Sequence, residues 1–115
     1  MQYLLLIYTS EAEYAKLDKS AADALSAEYG PFTQSIIKAG NFKGGERLRP
    51  VSTATTVRVK NGKTLTTDGP FAETREQLGG YYLSEAKDLD EATSIAARVP
   101  SAKFGSIEVR PIMVY

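Results

Sequence analysis

The first segment is apolar on both of its alternations. Tyr3, Leu5 and Ile7 point one way, and Leu4, Leu6 and Tyr8 point the other. A strand of this kind is covered on both faces and belongs near the centre of its sheet. Residues 9–19 are polar and read as a loop, with Asp18 or Ser20 available as the cap of a helix. In that helix Leu25, Tyr29, Phe32 and Ile36 recur at spacings of four, three and four, one apolar stripe. Gly40 closes it. Gly30-Pro31 interrupts the stripe. A proline inside a helix loses a hydrogen bond at a cost of roughly 3 kcal/mol, so a kink, or a break into two abutting helices, is expected there.

Residues 41–52 carry Gly44-Gly45 and Pro50 and read as an irregular or edge strand followed by a loop. Residues 55–60 alternate, with Val57 and Val59 on one face, and Asn61-Gly62 then signals a type I′ hairpin turn into residues 63–67. Asp68-Gly69-Pro70-Phe71 follows, then a dense polar run in which Thr74-x-x-Gln77 can cap one helical turn before Gly79-Gly80. Residues 80–84 resume a strand. Asp88-x-x-Glu91 opens a last helix with Ala92, Ile95, Ala96 and Val99 as its buried stripe and Pro100 at its end. The closing strand, 106–110, sets Ile107 and Val109 on one side and Glu108 and Arg110 on the other. The order β-α-β-β-β-β-α-β is that of an α+β, ferredoxin-like β-α-β-β-α-β unit with an extra hairpin, in one domain over residues 1–115.

Composition narrows the chemistry. A chain of 115 residues buries a core without disulfides or metal. It contains no His and no Cys, which excludes imidazole and thiol catalysis and any metal site built from those ligands. No cofactor is implied. Lys+Arg and Asp+Glu both number 14, so the basic excess of a nucleic-acid binder is missing. Arg47, Arg49, Arg58, Lys60 and Lys63 form a modest basic cluster without an aromatic stacking surface. Gly62-Lys63-Thr64 imitates the end of a phosphate-binding loop, yet Val57 stands where its first Gly is required. The apolar run 3–8 lacks a basic leader and is too short for a signal peptide or membrane span. A cytoplasmic protein with no membrane partner is expected, in keeping with the lack of Cys.

Asp68 is the leading candidate for a catalytic carboxylate. With Pro70 fixing the turn and Phe71 drying the neighbourhood, it suits a general base, while an Asx turn is its structural alternative. Arg75 offers a planar fork to an anionic or phenolate ligand, and Glu73 lies beside it. Exposed ion pairs in such a loop are worth only ~0–1 kcal/mol, so stability alone gives little reason for them. Glu108 and Arg110 line a cleft or form a surface pair, depending on which way their side of the strand faces. Tyr29 and Tyr82 can each offer a hydroxyl to a pocket, although tyrosines in strands commonly serve as core.

Asp68-Gly69-Pro70-Phe71 is the signature of the DGPF proteins, a branch of the YCII-related superfamily, and the chain resembles them over nearly its whole length. The resemblance runs through residues 3–8, 54–58, 68–83 and 105–111. It implies a ferredoxin-like fold that pairs into a dimeric α/β barrel, with a cleft between sheet and helices or between subunits. It implies no settled activity, since most members are uncharacterised and a few wider relatives act on chlorinated or lactone-type aromatic breakdown products. In YCII-type members the suspected site pairs a His on the first helix with an Asp. The His position falls near Tyr29 here, so that dyad does not carry over.

Two functions follow as expectations. One is a cleft that binds a small metabolite and performs cofactor-free acid–base chemistry. The other is a non-catalytic ligand-sensing or regulatory interaction module. A homodimer is expected in either case, because two helices cover one sheet face while the first strand is apolar on both.

Overall fold

The computed structural model describes residues 1–115. Its strands are β1 (Gln2–Thr9), β2 (Phe42–Arg47), β3 (Thr55–Lys60), β4 (Lys63–Asp68), β5 (Gln77–Glu85) and β6 (Ser106–Pro111). Its helices are α1 (Glu11–Tyr14), α2 (Lys19–Lys38) and α3 (Leu89–Ala97), with short 3-10 turns at Val51–Thr53 and Pro100–Lys103. The expected β-α-β-β-β-β-α-β order is present, with α1 as an addition. Four strands form one antiparallel sheet in the order β2-β5-β1-β6, and β3-β4 form a separate two-stranded sheet. No helix is long and apolar enough to cross a membrane.

The central strand β1 buries Tyr3, Leu5 and Ile7 against Phe32 and Ile36 of α2 and Ala92, Ile95 and Ala96 of α3. Both long helices therefore cover the same face. Asp18 starts α2 by accepting the Ala21 amide at 2.8 Å. The helix ends in a Schellman motif: Gly40 at φ +82° donates to the Ile37 carbonyl, and Asn41 donates to that of Ile36. Asp88 caps α3 by accepting the Glu91 amide at 2.9 Å. Asn61 at φ 50° and Gly62 at φ 73° make the expected left-handed hairpin turn.

Two local expectations change, and one of two alternatives falls away. The helix does not break at Gly30-Pro31, and α2 runs through Pro31 as one element of 20 residues. Pro31 is exposed, and so is Ala27, whose carbonyl loses its helical partner and is left open to solvent. Residues 9–19 are not all loop, because Ser10 accepts the Glu13 amide and starts α1. Thr74-x-x-Gln77 caps no helical turn. Gln77 instead begins β5, and its side chain accepts the Glu11 amide at 2.9 Å while donating to the Thr74 carbonyl at 2.6 Å.

The opposite face of the sheet carries no helix. Leu4 and Leu6 pair with Leu83 and Tyr81 of β5 and with Arg110 and Glu108 of β6, and all of these side chains stand on that face. The sheet stays open, and no barrel closes within one chain. The β3-β4 hairpin leaves Val57, Val59 and Leu65 in solvent. The result is a slab of 48 × 45 × 18 Å whose radius of gyration is 16.1 Å. A compact domain of this length has a radius of about 13 Å.

Candidate functional site

Glycines on β2 and β5, Gly45 with Gly79-Gly80, open a cleft between the sheet and α2. In the strand register Gly80 faces Ile7 on one side and Arg47 on the other, while Gly45 faces Tyr82. These positions lie on the helix-facing side, where side chains would otherwise stand. The backbones are too close for anything larger. A Cβ at Gly45 would sit 2.8 Å from the Tyr81 carbonyl oxygen, and one at Gly80 would sit 2.9 Å from that of Glu46. Gly79 is the extra residue of a β-bulge opposite Ile7 and Tyr8, which bends β5 at the same end. Bare backbone thus floors a cavity of about 690 Å³. Leu25, Tyr29 and Thr33 of α2 form one wall, Tyr14 and Phe104 flank the mouth, and Arg47, Leu48 and Pro50 make the rim.

Two hydroxyl pairs line this cleft. Tyr29 Oη lies 2.5 Å from Ser101 Oγ, and Tyr82 Oη lies 2.7 Å from Thr33 Oγ1. The Tyr82 ring is gripped edge-on by Phe32 at 5.4 Å and by Phe42 at 6.2 Å. Its burial pushes the phenol pKa above the ordinary value, against a smaller lowering by the Thr33 bond. At neutral pH Tyr82 is therefore an un-ionised hydroxyl that can donate or accept. Glu11 braces the mouth from α1, with Oε2 accepting the Val51 amide at 3.1 Å. No group of His, Cys, Asp and Glu side chains is arranged to hold a metal ion.

The whole chain, residues 1–115, matches the YCII-related domain. The chain belongs to the YCII-related family. An uncharacterized protein of Rhizobium meliloti (strain 1021) is 36% identical over 117 residues, spanning 100% of this chain and 94% of that protein. In this YCII-related domain Tyr29 lines the cleft and presents its hydroxyl there beside Ser101.

The structure divides the site residues read from sequence into three groups. Tyr29 and Tyr82 stand together in the cleft. Asp68, Glu73 and Arg75 are exposed and do not line it. Asp68 ends a strand of the separate hairpin sheet, so it is not carried to the mouth by the main sheet. The Asx turn is absent as well: the turn is held by the Gly69 amide donating to the Ala54 carbonyl at 2.7 Å and by Thr56 Oγ1 donating to the Gly69 carbonyl at 2.8 Å. Glu108 and Arg110 lie across the sheet from the cleft, on the open face with Leu4 and Leu6. Sequence reasoning missed Glu11, Thr33, Arg47 and Ser101. The signal for them was the pair of glycine doublets, whose meaning depends on a strand register that only pairing reveals.

Proposed function

We propose that this chain is a homodimeric, ferredoxin-like small-molecule-binding protein whose ligand sits in the cleft between α2 and the sheet. The observation that carries the reading is the cavity of about 690 Å³, floored by Gly45 and Gly80 and lined by two neutral hydroxyl pairs. Ligand sites typically measure about 300–1,000 Å³ and combine an apolar lining with a few placed polar groups. Binding is favoured over proton abstraction by the disposition of the carboxylates. Both carboxylates that border the cleft are turned to other tasks or directions: Glu11 Oε2 accepts the Val51 amide, and the register of Glu46 opposite Tyr81 turns its side chain to the other side of β2. A base role for Asp68 needs a second chain to bring its hairpin over a cleft.

The open sheet face supports the dimer. The isolated chain exposes 8199 Å², whereas a folded monomer of this mass exposes roughly 6,200 Å². The excess of about 2,000 Å² per chain belongs to the range of obligate interfaces. An isolated two-stranded hairpin is marginal in water, so the bare apolar residues of β3 and β4 argue the same way. In a dimeric barrel two such sheet faces cover each other. Light scattering at micromolar concentration should return twice the chain mass, and Leu6→Glu on the open face should break the dimer. A well-folded wild-type monomer would refute the assembly. A fragment screen read by thermal shift tests the cleft: hits should lose their effect in Thr33→Val/Tyr82→Phe, and hits indifferent to that change would move the site elsewhere.

A further inference from the structure

Arg47 is the one cationic residue lining the cleft, and it has no counter-ion. The four ion pairs of the chain join the amino terminus to Glu85, Lys16 to Glu13, Lys19 to Asp23 and Lys103 to Glu28. None involves Arg47. Its register opposite Gly80 turns it to the helix-facing side of β2, at the exposed rim of the cleft rather than on the open face. The two carboxylates that also border the cleft make no ion pair with it: Glu11 Oε2 accepts the Val51 amide, and the register of Glu46 opposite Tyr81 turns its side chain to the other side of β2. The remaining polar groups of the cleft are hydroxyls. An exposed guanidinium with no ion-pair partner on the rim of a largely apolar cavity is free to meet a negative headgroup, and its planar fork matches a carboxylate with two parallel hydrogen bonds.

We propose that the cleft takes a small organic carboxylate with an apolar body, and that Arg47 is its anchor. This rests on the cleft being the binding site. The carboxylate sits at the rim against Arg47, and the apolar body lies over Gly45 and Gly80 beside Tyr82. The hydroxyls of Tyr29 and Thr33 then serve a second polar group on the ligand.

The test uses benzoate as probe and benzamide as its neutral isostere, with amide chemical shifts of the intact protein as readout. Benzoate should move the resonances of Gly45, Gly80 and Tyr82 saturably, and benzamide should bind about tenfold or more weakly. Arg47→Gln should weaken benzoate by about the same factor and leave benzamide unchanged, while Arg47→Lys keeps part of the affinity by keeping the charge. Unmoved resonances in α3 and β6 would show that each variant is folded. Equal binding of the two probes, or indifference of benzoate to Arg47→Gln, would overturn the anion inference and leave the cleft standing. If neither probe moves the cleft resonances, the binding-site reading falls and the inference with it.

Discussion

Replacing Tyr82 by Phe removes one oxygen and little else. The ring keeps its edge contacts with Phe32 and Phe42, because those depend on the aromatic carbons. The loss is the 2.7 Å bond to Thr33 Oγ1, which leaves the threonine hydroxyl without its partner in a half-buried place. A neutral hydrogen bond of this kind is worth about 1 kcal/mol net, and stranding one partner costs about 1–3 kcal/mol. We expect Tyr82→Phe to lower stability at neutral pH by roughly 1–2 kcal/mol, read by urea unfolding. In the double variant Thr33→Val/Tyr82→Phe both polar groups are gone, so much of that loss should return. The pH dependence carries an independent check. Tyr82 has a folded pKa raised above its unfolded value near 10, so its contribution is fully present below about pH 10 and is lost as pH climbs through the raised folded value. Tyr82→Phe should therefore flatten the alkaline fall in stability. A variant as stable as the parent at neutral pH, with the same alkaline profile, would refute both the bond and the burial argument.

Two further substitutions separate turn from site. Asp68→Asn and Asp68→Ala should each change stability by less than about 0.5 kcal/mol, since the turn is held by Gly69 and Thr56 rather than by the carboxylate. Urea midpoints measure this, and a large loss in either variant would reveal a partner that the single chain lacks. Gly62→Ala should cost about 1 kcal/mol, because alanine resists a φ of +73°. Ligand affinity in the cleft should be untouched, and a selective loss of binding would tie the hairpin to the site.

Short-range chemistry was legible in the residues themselves. Asp18 and Asp88 are caps because a carboxylate one residue before a helix meets free amides within its own turn. Asn61-Gly62 makes its turn for a reason internal to two residues, and the double apolar alternation of β1 announces both its central place and its need for cover. The misreadings have a common origin. Gln77 resembled a capping residue until β5 pairing placed it beside Glu11, 66 positions earlier. Whether Asp68 meets a cleft depends on assembly, because within one chain its hairpin is a sheet of its own. Gly44-Gly45 read as part of an irregular or edge strand, and Gly79-Gly80 as the end of a helical turn before a strand resumed. Only when β2 pairs with β5, and β5 with β1, do the bare backbones of Gly45 and Gly80 fall on one face beneath α2 and leave a cavity. Capping and turn propensity act over a few residues and are written locally. A cavity is a property of which side chains are missing from a shared surface, and that surface exists only after strands far apart in the chain have found their register.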